Sequence, residues 1–524
     1  MSKYLGIDAS TQSMTGLVID CASNQIVEEL SINFDEHFRD RYGIRNGVLE
    51  LGEGVVHSSP AMWAEALDIL LTQLQATGVI ADLEAVAGSG QQHGTVYLND
   101  AAAATLSNLR GNRDLVDQIG HIFSRATSPI WMDTSTADQC RQIETAVGGR
   151  EALLQLTGNT AFERFSGPQI RKFYQTEPAA YDATASIGLV SSYMASLFAG
   201  KLVPVDPGDG SGTNLMDLAT RQWSQAALDA TAPGLAGKLL PTGASDLVVG
   251  PVSRYFVERF GFRPNCQILP FSGDNPCSLI GLGLVEPGRV ALSLGTSDTM
   301  FACMDQPRTS TSGEGAVFAS PDGANYMALI CFLNGSLARE AVRDLYALDW
   351  SGFAGMLAGS QPGNNGGLML PYFSAEIVPH VSRPGVVRGE GLSADDAAAN
   401  VRAVIEAQAL ATRLHSRWMG IPVNSLSVTG GASENPQILQ IYADIHNCPV
   451  HRFQTTNSAA LGAALRARHG HLRMTGQERA DWKEIVAPFT QPAAGSTITP
   501  DPAVRSIYDQ LENAYAELEK RHTS

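Results

Sequence analysis

The alternation of apolar and polar residues begins with a predicted β-hairpin. Residues 4–8 form a short apolar run that ends in Asp8, and residues 15–20 are apolar again. The connection between them, residues 9–13, contains only small or polar side chains, which is typical of a turn between paired strands. The pattern therefore places a carboxylate at the end of the first strand.

A second hairpin of the same design is predicted in the second half of the chain. Residues 290–294 and 299–304 are apolar, and they flank the small polar turn 295–298. Two copies of one pattern at distant positions favour two related domains. Because strand–turn–strand patterns are common, coincidence is the alternative.

Helical periodicity and strand runs alternate through the rest of the chain. In residues 60–76 apolar side chains recur every three or four positions, Pro60 suits the first helical position, and Gly78 follows the end. Further helices are predicted at 136–147, 394–419, 457–468 and 503–520, and further strands at 83–87, 425–429 and 449–453. A helix ending near His446 completes a β–α–β unit between the last two strands.

These elements predict a mixed α/β fold with two domains. The dipeptides Gly250-Pro251 and Arg263-Pro264 interrupt the pattern, and such residues commonly mark connections. We therefore expect an N-terminal domain at 1–255 and a C-terminal domain at 256–524. The length of 524 residues agrees with two or more domains of roughly 100–200 residues each.

Composition removes several functional classes. The formal net charge of −17 argues against an extended basic surface for nucleic acid. The longest apolar stretch, 187–199, contains several serines and is too short to cross the ~30 Å of bilayer hydrocarbon. The seven cysteines are scattered without a CxxC pair, which favours a reducing compartment. We expect a cytoplasmic protein without nucleic acid or membrane partners.

The turns that follow Asp8 and Leu294 are candidate phosphate-binding loops. Small hydroxyl residues allow backbone N–H groups to face an anion, and a carboxylate at a strand end can recruit a divalent cation. Each turn can equally be an ordinary hairpin connection.

Residues 271–276, with the sequence Phe-Ser-Gly-Asp-Asn-Pro, are a candidate catalytic turn. Gly273 allows close backbone approach, and Pro276 suits the first turn of a helix. Asp274 could then accept a hydroxyl proton while Asn275 holds a neighbouring hydroxyl. The alternative is that Asp274 only caps the helix.

Two further segments could contact a ligand. Gln91, Gln92 and His93 follow a predicted strand and could bind a polyol, although a solvated loop has the same composition. Gly430 and Gly431 lack the Cβ atoms that would block a flat nucleotide base, and an ordinary strand-to-helix turn is the alternative. The sequence has neither GxGxxG after its first strand nor GxxxxGK[ST], which argues against Rossmann and P-loop folds.

Several motifs resemble, in this order, those of the FGGY carbohydrate kinases. They are LGIDASTQS, SGQQHGTVY, FSGDNP, LSLGTSD, VTGGASEN and NSAALGAALRA. WMDTSTADQCRQIE, ERFSGPQIRK, DGSGTNLMDL and CFLNGSLARE are similar to the branch of this family that acts on D-xylulose. The resemblance extends from about residue 4 to about residue 470. It implies two actin-like (ribonuclease-H-like) α/β domains around a central cleft.

The resemblance implies three groups of site residues. Those at the sugar are His93, Arg164, Asp274 and Asn275. Those at the ATP phosphates are Asp8, Thr11, Thr296 and Ser297. Those at the adenosine are Trp350, Gly430, Gly431 and Asn435. Among them, Asp274 is implied as the general base and Asp8 as the Mg²⁺ ligand.

Two positions depart from the wider family. Ser10 stands where the first phosphate loop commonly has a glycine, and the tryptophan loop 131–135 lacks the arginine that many relatives carry. Both departures fit the branch that acts on D-xylulose.

The activity implied by the resemblance is ATP-dependent phosphorylation of D-xylulose to D-xylulose 5-phosphate with Mg²⁺, by a monomer or homodimer. One alternative is a kinase of another ketopentose or polyol, such as ribulose. The other is a non-catalytic sugar or nucleotide sensor on the same fold. The sugar that supports ADP release separates them.

Overall fold

The computed structural model describes residues 2–453, 457–476 and 480–523. Its strands are β1 Lys3–Ala9, β2 Ser13–Asp20, β3 Gln25–Asn33, β4 Leu49–Glu50, β5 Val56–Ser58, β6 Leu83–Gly90, β7 Thr95–Leu98, β8 Ser128–Pro129, β9 Ser186–Leu189, β10 Met216–Asp217, β11 Gln222–Trp223, β12 Gly250–Pro251, β13 Gln267–Ile268, β14 Ser272–Gly273, β15 Arg289–Leu294, β16 Asp298–Met304, β17 Ala316–Ala319, β18 Tyr326–Phe332, β19 Met369–Tyr372, β20 Gly385–Arg388, β21 Ser425–Thr429 and β22 Val450–Arg452.

The helices alternate with these strands. They are α1 Phe34–Tyr42, α2 Pro60–Ala76, α3 Ala102–Ser107, α4 Leu115–Ile119, α5 Ala137–Ala146, α6 Arg150–Thr157, α7 Ser166–Thr176, α8 Pro178–Asp182, α9 Val190–Ala199, α10 Pro207–Gly210, α11 Gln225–Thr231, α12 Arg254–Phe260, α13 Asp274–Gly281, α14 Ser336–Leu345, α15 Trp350–Gly359, α16 Ala397–His415, α17 Pro436–His446, α18 Ser458–Met474, α19 Trp482–Val486 and α20 Arg505–Thr523. The predicted mixed α/β class is confirmed.

The chain forms two compact units whose limits differ from the predicted domains. The first comprises Met1–Val285, Val317–Tyr326 and Thr456–Thr490, and the second comprises Glu286–Ala316, Met327–Thr455 and Gln491–Ser524. The expected division between 255 and 256 therefore falls inside the first unit. The physical reason is strand pairing, because β13 and β14 both join β6 in parallel. Helix α18 also returns to pack on β1 and β6.

The first unit is built on a sheet with the strand order β12-β13-β6-β1-β2-β3. Strand β1 runs antiparallel to β2 and parallel to β6. Successive side chains of β1 face opposite sides, as in any strand. Leu5 and Ile7 belong to the core that contains α2 and α9, whereas Tyr4 belongs to the core that contains α18. The sheet is thus covered by helices on both faces.

The second unit repeats this arrangement. Its sheet has the order β18-β16-β15-β21-β22, with β15 antiparallel to β16 and parallel to β21. The two predicted hairpins, β1–β2 and β15–β16, therefore occupy equivalent places in two sheets of the same order. The prediction of two related domains from this repeat is confirmed.

Most predicted elements differ from the observed ones only at their ends. The helix predicted at 60–76 is α2 without change. The helix predicted at 394–419 is shorter, because the Asp396 side chain accepts the Ala399 N–H and starts α16 at Ala397. Among the described residues, we find no helix with the length and apolar content needed to cross a membrane.

Helices α13 and α18 of the first unit meet backbone against backbone. A Cβ on Gly462 would lie 1.8 Å from the Cys277 carbonyl oxygen, and one on Gly281 would lie 1.9 Å from that of Ser458. Only glycine fits at such contacts. This packing fixes α13, whose first residue is Asp274.

We predict that Gly462→Ala lowers the thermal unfolding midpoint of the protein, because the added methyl overlaps a backbone carbonyl. Overpacking of this kind costs about 1–3 kcal/mol or more. The matched control is Gly355→Ala in α15, where an added Cβ meets nothing within 4 Å. That variant should be as stable as the parent or slightly more stable. Equal midpoints for Gly462→Ala and the parent protein would contradict the close packing.

Candidate functional site

Three parallel strand ends meet at one edge of the first unit's sheet. In register, Asp8 of β1 lies opposite Ser89 of β6, and Ser272 of β14 lies opposite Ser89 on its other side. Ligands of open α/β sheets bind beyond the carboxyl ends of such strands. The turn after Asp8, the loop after β6 and the start of α13 therefore share this edge.

Asp274 is the first residue of α13, and Gly273 occupies the N-cap position. The interpretation of Asp274 as the helix cap is therefore not the one that the structure supports. Its Oδ1 accepts the Asn275 N–H at 2.8 Å, the Asn275 side-chain amide at 3.1 Å and the Gln92 N–H at 3.3 Å. Its Oδ2 has no hydrogen-bond partner among the described residues, so one oxygen is held while the other can meet a ligand.

The pKa of Asp274 is raised to about 7. The first cause is loss of hydration, because the carboxyl is densely surrounded by protein although part of it stays accessible to solvent. The second is the negative charge of Asp8, while three backbone N–H groups act in the opposite direction. A carboxyl with this pKa can both lose and accept a proton near neutral pH.

His93 and Arg164 lie close to each other in the same unit. The His93 Nδ1 is 2.6 Å from the carbonyl oxygen of Gly212, so Nδ1 carries the proton and Nε2 is an acceptor. Burial, followed by the positive charge of Arg164, lowers the pKa of His93 to about 3. The imidazole stacks on Phe165 at 4.3 Å between centroids, and its backbone has a φ of +74°. Such strained backbone is concentrated at functional sites.

The loop that contains His93 is buried. Gln91, Gln92 and His93 are only 1%, 2% and 7% exposed. The solvated-loop interpretation of these residues is therefore wrong.

The Asp8 turn is held by hydroxyl groups. Asp8 accepts hydrogen bonds from Ser89, at 2.7 Å, and from Ser10. Burial raises the pKa of Asp8, and these two hydroxyls oppose that rise. The Thr11 hydroxyl accepts the indole N–H of Trp131 at 2.8 Å. Of the two departures from the wider family, Ser10 is thus part of this turn and the tryptophan loop contacts it.

Sequence reasoning did not assign Trp131 or a second carboxyl, Asp209. Asp209 is fully buried and accepts the Ser191 hydroxyl at 2.5 Å. Burial, with added repulsion from Asp274 and Asp206, raises its pKa well above the ordinary range. The DGSGT segment was visible as a motif, but spacing alone could not bring it to Asp274.

A magnesium ion is compatible with the residues present. Within the described ranges, no group of three or more His, Cys, Asp or Glu side chains could hold a metal ion. Mg²⁺ commonly takes only one or two carboxylates and completes its shell with water and phosphate oxygens. The Asp8 carboxylate, near the end of β1, could supply one such ligand.

The second unit contains a cavity of about 620 Å³ at the equivalent sheet edge. Ser293 of β15 lies opposite Thr429 of β21, so the turns that follow these strands are adjacent. Of the residues predicted for the nucleotide, those that line the cavity are Thr296, Trp350, Gly431 and Asn435. Ser297 and Gly430 are their chain neighbours.

The walls of this cavity follow from local requirements. Gly430 has a φ of +88°, and a Cβ there would lie 2.5 Å from the Leu294 carbonyl oxygen, so a side chain is excluded. At Gly431 an added Cβ meets nothing within 4 Å, which leaves an open surface. The Asn435 side chain accepts the Gln437 N–H at 2.9 Å and starts α17. Trp350 is half exposed, with the Arg343 guanidinium 4.6 Å from its ring centroid.

One buried ion pair that sequence reasoning missed holds the turn between β15 and β16. Arg339 of α14 contacts Asp298 at 2.9 Å and donates to the Gly295 carbonyl at 3.1 Å. Both charged side chains are buried, so the pair fixes the turn that carries Thr296 and Ser297.

Comparison with known proteins agrees with this architecture. Residues 3–281 match the N-terminal domain of the FGGY family of carbohydrate kinases, and residues 290–471 match its C-terminal domain. A xylulose kinase of Rattus norvegicus is 42% identical over 99% of this chain and 96% of its own length. Xylulose kinase 2 of Arabidopsis thaliana is 43% identical over 90% of this chain and 88% of its own length.

A solved structure, xylulose kinase from Rhodospirillum rubrum, superposes with a TM-score of 0.82. It is 20% identical in sequence and covers 99% of this chain and 98% of its own chain. This likeness concerns the fold. The chain belongs to the FGGY family of carbohydrate kinases and is a carbohydrate kinase.

We predict that Asp274→Asn gains stability relative to the parent as pH rises from 5 to 8. The carboxyl of Asp274 has a pKa of about 7 in the folded protein and 3.8 as the ordinary value. Its favourable contribution is present below the ordinary pKa and is lost as pH rises through about 7. The change should be at most a few kcal/mol, since each pKa unit is about 1.4 kcal/mol.

The measurement is the difference in unfolding temperature between variant and parent at several pH values. Asp35→Asn is the control, because backbone N–H groups of the folded chain and Arg39 lower the pKa of Asp35. Its effect should therefore stay constant between pH 5 and pH 8. A pH-independent difference for Asp274→Asn would contradict the raised pKa.

Proposed function

We propose that this chain transfers the γ-phosphoryl group of ATP to D-xylulose and forms D-xylulose 5-phosphate. Relatives named xylulose kinases that are more than 40% identical over at least 90% of this chain support the choice of sugar. The observation that carries the chemistry is Asp274, a carboxyl with a pKa of about 7 and one unpartnered oxygen at the edge of the first sheet.

Asp274 acts as the general base in this proposal. Three N–H donors hold Oδ1, so Oδ2 takes the proton of the terminal sugar hydroxyl. The freed oxygen attacks the γ-phosphorus while ADP leaves in line. Phosphoryl transfer asks a protein mainly for positioning and charge stabilisation, and a base with a pKa near the working pH suits the proton transfer.

His93, Arg164 and Asn275 position the sugar. The neutral imidazole of His93 offers Nε2 as an acceptor for a hydroxyl, since Nδ1 is bonded to Gly212. The guanidinium of Arg164 donates to sugar oxygens, and the Asn275 amide adjoins the base.

The nucleotide side uses both phosphate turns. Asp8 and Thr11 in one turn and Thr296 and Ser297 in the other offer hydroxyl and backbone N–H groups to phosphates. The adenosine contacts that we propose are Trp350, Gly430, Gly431 and Asn435. Mg²⁺, when bound with ATP, neutralises charge on the phosphate oxygens, and Asp8 is the residue that would hold it directly or through water.

We further propose that the reaction takes place in the cytoplasm, in a monomer or homodimer. All seven cysteines are free thiols, which suits a reducing compartment.

The first prediction from this proposal concerns substrate choice. In an assay of ADP release, D-xylulose should give a kcat/KM at least about tenfold above D-ribulose and xylitol, which differ at one carbon each. Discrimination of that size corresponds to about 1.4 kcal/mol. Asp274→Asn should lower kcat at least ~10²-fold, the usual scale of general-base catalysis, with sugar binding partly retained. A different preferred sugar would identify another ketopentose or polyol kinase, and the absence of ADP release with every sugar would favour a non-catalytic sensor.

The second prediction separates the phosphate turn from the sugar contacts. Asp8→Ala should reduce turnover and raise the Mg²⁺ concentration needed for half-maximal rate, whereas the affinity for D-xylulose in a binding titration should change less than about threefold. Asp20→Ala is the matched control, because Asp20 is also 8% exposed but lies at the opposite end of the same hairpin. If Asp8→Ala loses sugar binding and keeps a normal Mg²⁺ dependence, the assignment of Asp8 to the phosphate contacts is contradicted.

A further inference from the structure

The side-chain amide nitrogen of Gln92 is a buried donor without an acceptor. Gln92 is 2% exposed, and its Nε2 has no hydrogen-bond partner among the described residues. Leaving such a group unpaired costs about 1–3 kcal/mol. Buried polar groups in native proteins are nearly always paired with protein, water or a ligand, so this nitrogen requires a partner.

The orientation of the amide follows from its other end. Gln92 Oε1 accepts the side-chain N–H of Asn275 at 2.9 Å, and only the oxygen can accept. The backbone N–H of Gln92 donates to Asp274 Oδ1 at 3.3 Å. Gln92 is therefore hydrogen-bonded to both Asp274 and Asn275, and the N–H groups of its side-chain amide have no partner among the described residues.

Two glycines make room for this side chain. A Cβ on Gly273 would lie 2.4 Å from Gln92 Cγ. A Cβ on Gly212 would lie 3.3 Å from Gln92 Nε2 and 3.0 Å from His93 Cε1. Since one point lies this close to both groups, the amide nitrogen and the imidazole are neighbours beside Gly212.

The two groups have complementary hydrogen-bonding roles. Gln92 Nε2 is a donor, and His93 Nε2 is an acceptor because Nδ1 donates to the Gly212 carbonyl. A hydroxyl group can accept from one and donate to the other, whereas a carbonyl or a methylene cannot do both. The pair is thus suited to a hydroxyl group close to the base.

We propose that Gln92 is a specificity-determining residue, whose amide donates to the hydroxyl on C3 or C4 of the sugar while His93 accepts from the same hydroxyl. This inference rests on the proposed function, in which Asp274 faces the terminal hydroxyl on C5. The neighbouring carbons then lie next to Gln92, which is bonded to Asp274.

The test measures kcat/KM for D-xylulose and for its 3-deoxy and 4-deoxy analogues. Gln92→Met keeps the length of the side chain and removes the donor. It should lower kcat/KM for D-xylulose about 10- to 100-fold, the range expected for one lost hydrogen bond in an enclosed site. The loss should shrink below about threefold for the one analogue that lacks the recognised hydroxyl. KM for ATP should change less than about twofold, since the nucleotide contacts are untouched.

The comparison between sugars separates recognition from structural damage. Gln92→Met also removes the acceptor for Asn275, but that effect is common to all three sugars. Gly212→Ala is a second variant. It leaves the hydrogen bond between Gln92 and Asn275 intact, and its methyl group reduces the space between the Gln92 amide and the His93 imidazole. At φ −85° the alanine backbone is allowed, so this variant carries the test if Gln92→Met does not fold. It should raise KM for D-xylulose more than KM for the same deoxy analogue.

Gln175→Met is the control, because it makes the same exchange at an exposed position of α7, and its kinetics should equal those of the parent. Equal losses in Gln92→Met for all three sugars would overturn the inference and leave the proposed function standing. A parent enzyme without activity toward D-xylulose would overturn the proposed function and this inference together.

Discussion

Asp274 carries a carboxyl that is densely surrounded by protein and close enough to Asp8 for the two negative charges to oppose each other. Loss of hydration and this repulsion both favour the protonated form. Asp8 lies near the end of β1 and Asp274 directly follows β14, and both strands pair with β6. The strand order of the sheet therefore brings the two carboxyls together. The hydroxyls of Ser10 and Ser89 favour the ionised form of Asp8. The arrangement places the Asp8 carboxyl, whose ionised form two hydroxyls favour, beside a base with a pKa of about 7.

The same sheet edge is used differently in the two units. In the first, polar side chains and a strained His93 collect around the strand ends. In the second, glycines and the exposed Trp350 border a cavity. Glycine is required where backbone approaches backbone, as at Gly430 and Gly462, and these positions fix the turns that carry the side chains. A repeated sheet thus supplies the geometry, and the residues on its turns supply the chemistry.

Local patterns predicted the elements that are regular and long. Helix α2 was predictable to the residue because its apolar spacing, its first proline and its final glycine agree. The extent of the first unit was not, since β13 and β14 have only two residues each and carry no periodicity. Motifs identified Asp274 and His93. Composition placed Gln92 in the same candidate loop as His93. Trp131 and Asp209 were not assigned, because their partners are distant in sequence, as Trp131 is 120 positions from Thr11.

The pH dependence of kcat/KM for D-xylulose tests the central claim most directly, because this quantity reports ionisations of the enzyme form that binds the sugar. It should be measured for the parent and for Asp8→Asn at saturating Mg²⁺ and ATP. If Asp274 is the base, kcat/KM should rise with pH through an apparent pKa of about 7. Removal of the charge at position 8 should move that pKa downward. A rate that is flat between about pH 6 and pH 8, or an apparent pKa that Asp8→Asn leaves in place, would contradict the coupling of the two carboxyls.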